Sequence, residues 1–293
     1  MTSELELDFL ADIKEYFADQ LSRLGYVVDG QSSVSEVGAR LFSLHIRLIS
    51  AEPRTVLESA EFSCPDELRA AYDALKRKVQ VGEDINSFLS ERLLDVDYED
   101  RLLWDWGIHH FHLAQVLNEK GFVKRGNALL YGHVESKKFY SIQILDHSSF
   151  SKQELIKVVH KNWPAILEPY RLKGALGLAQ SYSDEDVRKL RLAGIQPLIE
   201  VEPGIVYYPL GGGLTSAGTS TKAQLQCMQW LRVIRELESW MRANPDEIRQ
   251  RVRNMSLIVP DPLRFKLLVK TDGFYALEVR CGAEFLLYRF ENS

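Results

Sequence analysis

No apolar run in this 293-residue chain approaches the roughly 20 residues that cross a bilayer as a helix. Its N-terminus, acidic from Glu4 onward, lacks the basic-then-apolar order of a secretory signal. No membrane association is expected, and the protein is expected to stay in the cytoplasm. Cysteine is scarce: Cys64, Cys227 and Cys281 are odd in number and lack C-x-x-C pairing, which argues against a disulfide framework or a cysteine zinc site. The glycine-rich stretch Gly211–Gly218 contains no G-x-x-x-x-G-K-[ST] and no G-x-S-x-G, so neither a P-loop enzyme nor a serine hydrolase is inferred and no cofactor is expected. It reads as a flexible connection, with Thr219 or Ser220 capping the helix that follows. Excess positive charge is missing too. A net charge of −5 argues against duplex nucleic acid wrapped over the whole surface and leaves room for a local basic patch.

What is present is the patterning of an α+β protein, with small antiparallel sheets packed against helices in two or three subdomains. Residues 1–95 read as a first α+β unit. Ser3 would cap a helix whose apolar positions run from Leu5 to Leu24, and Leu44, Ile46 and Leu48 alternate as in a strand that would form a hairpin with Thr55–Phe62. Two helices, over Leu68–Val79 and Asp84–Leu94, complete it. Residues 96–175 read as a meander of Ile108–Leu113, Ala128–Val134 and Phe139–Asp146 followed by a helix. Residues 176–293 carry a helix begun by Ser183-Asp184-Glu185-Asp186, two short strands, a long helix near Thr221–Ala243 and a terminal hairpin turned at Thr271-Asp272-Gly273. The long helix should bury Leu225, Met228, Leu231, Ile234, Leu237 and Met241.

Five of the seven histidines fall between His109 and His147. Side chains alternate across a strand, so His110 and His112 share one face and His109 takes the other. One sheet face is expected to gather His110, His112, His133 and His147 near Ser141 and Gln143. Imidazoles with ordinary pKa values near 6.5 suit proton transfer at neutral pH. Lys124, Arg125, Lys137 and Lys138 lie close in sequence as phosphate contacts, and Tyr140 offers a ring for an unpaired base.

These parts match metal-independent cleavage of an RNA phosphodiester. The order of strands and helix over residues 100–164 resembles that of barnase/RelE-type bacterial toxin ribonucleases. The resemblance is architectural and shares no specific motif, and it implies an endoribonuclease acting on single-stranded RNA, as a toxin or defence effector. Two other readings stand beside it. One is a non-enzymatic binding or regulatory subunit that meets a protein partner through its C-terminal part. The other is a zinc hydrolase with histidine ligands from neighbouring strands, oriented by Asp146. Against both enzymatic readings, buried histidines often serve structure alone, hydrogen-bonded to backbone or carboxylate.

Overall fold

The computed structural model describes residues 5–255 and 258–290. It is an α+β fold in which small, mixed sheets pack among helices. β1 (Leu5–Glu6) leads into α1 (Phe9–Arg23), where Asp8 rather than a serine is the cap: its carboxylate accepts the Ala11 N–H at 2.9 Å. The cap expected at Ser3 lies outside the described residues. α2 (Val34–Arg47) replaces the strand expected at Leu44–Leu48. Val37, Leu41 and Leu44 are buried at i, i+4 and i+7, so the short alternation at its end is one edge of a helical stripe. β2 (Thr55–Glu58) and α3 (Asp66–Val81) follow, and then two 3-10 turns at Asn86–Phe88 and Glu91–Leu94 stand where one helix was expected.

The middle of the chain runs α4 (Arg101–Trp106), β3 (His109–His112), β4 (Ala128–Val134), β5 (Lys138–Asp146), α5 (Glu154–Asn162), α6 (Pro164–Leu167) and α7 (Asp184–Leu192). The Ser183 capping box with Asp186 starts α7 as its sequence predicts. β6 (Ile199–Glu202), β7 (Ile205–Tyr207), α8 (Thr221–Ala243), α9 (Pro245–Met255), β8 (Leu263–Lys270), β9 (Gly273–Glu278) and β10 (Glu284–Arg289) complete it.

The chain divides into two compact units, residues 1–42 with 225–293, and residues 43–224. Both boundaries expected from sequence, after residues 95 and 175, lie inside the second unit. The first unit contains a sheet of order β1-β8-β9-β10, with β1 parallel to β8 and the rest antiparallel. Its aromatic core joins Phe17, Phe42 and Phe274 around Trp230, with ring centroids 5.1–5.9 Å away. Along α8, Leu231, Ile234 and Met241 are buried as expected, whereas Leu225 and Met228 are exposed and Cys227 takes the inward position.

In the second unit the sheet order is β2-β5-β4-β3. β3, β4 and β5 form the expected meander, and β2 joins it parallel to β5 instead of closing a hairpin. One face carries Leu129, Tyr131 and Ile142 against Leu155, Ile156 and Val159 of α5. The glycine-rich loop is closely packed. A Cβ on Gly211 would lie 2.1 Å from the Leu103 carbonyl oxygen and 2.3 Å from that of Trp104. Gly211→Ala is therefore expected to cost at least about 2 kcal/mol, read as a lower urea midpoint; an unchanged midpoint would show that the loop is free to move. Ser220 caps α8, its hydroxyl accepting the Ala223 N–H at 3.2 Å.

Candidate functional site

Gly107, left-handed at φ 65°, ends α4 and turns the chain into β3. Register then sets the faces: His110 lies opposite Tyr131 and His112 opposite Leu129, while His109 lies opposite Gly132. His110 and His112 share a face, as strand alternation requires, and that face is the one packed by α5. A bulge between Tyr131 and Gly132 inserts Ile142 into β5. Ile142 thereby joins the core beside Tyr131, and Ser141 turns to the other face, where its hydroxyl lies 3.0 Å from that of Tyr72. The expected proximity of Ser141 to the paired histidines is thus undone by one inserted residue.

His110, His112 and His147 converge. Ring centroids of His110 and His112 are 6.1 Å apart and those of His112 and His147 5.7 Å. Phe150 closes the group, 5.0 Å from His110 and 6.1 Å from His147. His147 and Phe150 are half-buried and form its outer side; His110 and His112 lie behind them. Nε2 of His147 donates to the Gly126 carbonyl at 3.0 Å, which leaves Nδ1 free of that contact. Both ring nitrogens of His112 and Nδ1 of His110 are buried without a hydrogen-bond partner. The Asp100 carboxylate stands 4.0 Å from His110 Nδ1. A small cavity of about 20 Å³, lined in part by Tyr98, Asp100, His109 and His110, has room for about one water there. No protein family, curated protein or solved structure matches this chain.

Burial dominates the electrostatics. It pushes His112 down to about 4 and lowers His110, with the positive charge of Arg125 adding to both; the Asp100 carboxylate pulls His110 back in part. On the opposite face burial pushes His109 down to about 3. All three are neutral imidazoles at pH 7. The folded state refuses protons that the unfolded chain, with histidine near 6.5, accepts. Stability is full above pH 6.5 and falls on acidification, ceasing to fall below about 4 for His112 and about 3 for His109. Each should contribute a slope of ~1.4 kcal/mol per pH unit in that window. Urea midpoints recorded between pH 7 and 4 measure it, and a flat profile would contradict the burial of these rings.

His133 is not part of the group. It shares the face but lies about 13 Å further along the sheet from His112, four strand residues toward the β4–β5 turn. There its Nδ1 donates to the Gly107 carbonyl at 2.8 Å, and its ring packs on Tyr140. Tyr140 donates to Glu135 at 3.0 Å and stacks edge-on against Trp163. Lys137 is exposed beside Glu52 at 3.6 Å, and Lys138 opens β5 at the same end. These four residues, His133, Tyr140, Lys137 and Lys138, sit about 20–30 Å from His147 along β5. Lys124 and Arg125 are exposed at the His147 end. The sequence set thus splits, with His110, His112, His147, Lys124 and Arg125 at one end and His133, Lys137, Lys138 and Tyr140 at the other. Among the described residues no group of three or more His, Cys, Asp or Glu is arranged to hold a metal ion.

Three contributors escaped sequence reasoning: Phe150, Asp100 and Arg191. Arg191 is buried on α7 and donates to the Phe150 carbonyl at 2.5 Å, holding the turn that carries His147. It also meets Asp105 Oδ2 at 2.7–2.8 Å and stacks 4.3 Å over Trp106. The local signal was an acid between two tryptophans, which needs a cation once buried.

Proposed function

We propose that the second unit is a metal-independent endoribonuclease acting on single-stranded RNA, with proton transfer by His110, His112 and His147. The observation that carries this reading is the convergence of His110, His112 and the half-buried His147, with orphaned nitrogens on the first two; His109, whose nitrogens are also orphaned, stands apart on the opposite face. A histidine kept for structure is normally hydrogen-bonded, as His133 is, and each orphaned buried polar group costs about 1–3 kcal/mol. Nitrogens held unpaired are free to meet a substrate.

In this reading a neutral nitrogen of His112 takes the proton of a 2′-hydroxyl, and the 2′-oxygen attacks phosphorus. The 5′-oxygen leaves with a proton from His147, giving a 2′,3′-cyclic phosphate and a 5′-hydroxyl. The guanidinium of Arg125 meets the charge that grows on the phosphorane. His110, beside Asp100, orients and backs His112. Access requires the Phe150 ring to swing aside. The barnase/RelE-type resemblance of residues 100–164 rests on the order of strands and helix in the sequence alone, and a toxin or defence effector is the context it suggests.

The test is incubation of purified protein with labelled single-stranded RNA in excess chelator. Expected are fragments ending in cyclic phosphate, no cleavage of 2′-deoxy substrate, and loss of activity in His147→Ala with an unchanged melting temperature. Absence of cleavage, or cleavage that chelator stops, would overturn the proposal.

A further inference from the structure

The cavity of about 20 Å³ beside His110 lies at the end of a sheet. β3 is an outer strand in the order β2-β5-β4-β3, so residues from both of its faces can border one space. His109 and His110 both line it, although their side chains leave the strand in opposite directions.

Most polar groups around the cavity are already engaged. Arg47 donates to the carbonyls of Asp95 at 2.8 Å and Val96 at 3.1 Å, and the Ser90 hydroxyl accepts the Arg92 N–H at 3.4 Å. Asp100 Oδ1 accepts the Leu103 N–H at 3.1 Å and caps α4. What is left is Asp100 Oδ2, His110 Nδ1 at 4.0 Å from it, and the two ring nitrogens of His109. Both histidines are more than nine-tenths buried, His109 being 8% exposed and His110 6%. A separation of 4.0 Å is too long for a hydrogen bond and short enough for one bridging molecule. A water needs about 10–15 Å³ and two to four polar partners, and the cavity meets both conditions.

The protonation pattern follows from the partners. The Asp100 carboxylate only accepts, and each neutral imidazole offers one donor and one acceptor. The carboxylate charge draws the N–H end of the His110 ring toward itself, so Nδ1 carries the proton and Nε2 the lone pair. The water then accepts from His110 Nδ1 and gives its two protons to Asp100 Oδ2 and to the acceptor nitrogen of His109.

We propose that this cavity is a binding site for one structural water joining Asp100, His110 and His109, and that Asp100 acts through it as a positioning residue that holds the His110 proton on Nδ1. The role in the reaction rests on the ribonuclease reading, whereas the water site does not. His112 does not line the cavity, so its nitrogens stay open to substrate. With its lone pair on Nε2, His110 presents an acceptor beside His112, with 6.1 Å between ring centroids. That favours the charged form which His112 takes on when it removes a proton.

The test is a long-range ¹H–¹⁵N spectrum of the full chain, labelled at histidine, at pH 7 and without RNA. His110 is expected to show a protonated Nδ1, an unprotonated Nε2 and a nuclear Overhauser contact from the Nδ1 proton to a long-lived water. Asp100→Asn keeps the Oδ1 cap on Leu103 and turns an amide donor toward the water. In that variant the His110 proton is expected to move to Nε2, and the cleavage rate to fall at least about tenfold with KM unchanged. If Asp100→Asn does not fold, Asp100→Ser, a cap without the carboxylate, is read in the same way. An unprotonated Nδ1 or a missing water contact in the unaltered protein would overturn the water site. An unmoved proton in the variant, or a moved proton with an undiminished rate, would overturn the role of Asp100. The expected spectrum from a protein that cleaves no RNA would leave the water site standing and remove the ribonuclease reading.

Discussion

His112→Leu is expected to raise the stability of the protein while abolishing cleavage of RNA. His112 is 1% exposed and neither ring nitrogen finds a partner. An apolar side chain of similar size removes a desolvation cost of about 1–3 kcal/mol and keeps the packing against Leu129 and its neighbours. The same change removes the proposed base, for which a loss of about 10²–10⁴-fold in rate is expected. The acid sensitivity described above should also lessen, because one of the depressed histidines is gone. A structural histidine makes the opposite forecast: lower stability, with any activity unaffected. Urea denaturation and initial cleavage rates on the same preparation separate the two.

The second large effect is at Arg191. Arg191→Ala is expected to cost about 3–5 kcal/mol, because the Asp105 carboxylate would remain buried without its cation. Burial already pushes the Asp105 carboxyl up, against the pull of Arg191, so the pair is held by its partner alone. Replacing both at once, Asp105→Leu with Arg191→Met, should restore most of the loss, since a well-packed apolar pair avoids desolvating two charges. Restored stability would still leave the Phe150 carbonyl without its donor, so the double variant should fold and cleave poorly. Full activity in that variant would separate Arg191 from the site, and urea midpoints of the three variants measure the stability arm.

How much was readable in advance depended on whether the deciding contact was local. The capping box at Ser183 and Asp186, the turn at Thr271-Asp272-Gly273 and the separation of His109 from His110 and His112 are set by neighbours in sequence, and all three are found. Leu44, Ile46 and Leu48 misled because three residues at period 2 also fit a helix end, and the deciding residues, Val37 and Leu41, lie upstream. The parallel pairing of Thr55–Glu58 with β5 and of Leu5–Glu6 with β8 joins segments far apart in sequence, which no local pattern encodes. The same holds for the site. Strand alternation foretold the His110–His112 pair, but the split of His133 from His147 follows from strand length and from the Gly107 carbonyl, and the turn of Ser141 follows from the bulge at Ile142.

The claim that His110, His112 and His147 form one proton-transfer site for RNA is tested most directly by imidazole ¹⁵N chemical shifts recorded with a single-stranded 2′-deoxy oligonucleotide, which binds without being cut. At saturation the account predicts that signals from these three rings move together, while His133 is unchanged. Saturable binding that leaves all three rings as they are in the free protein would contradict it.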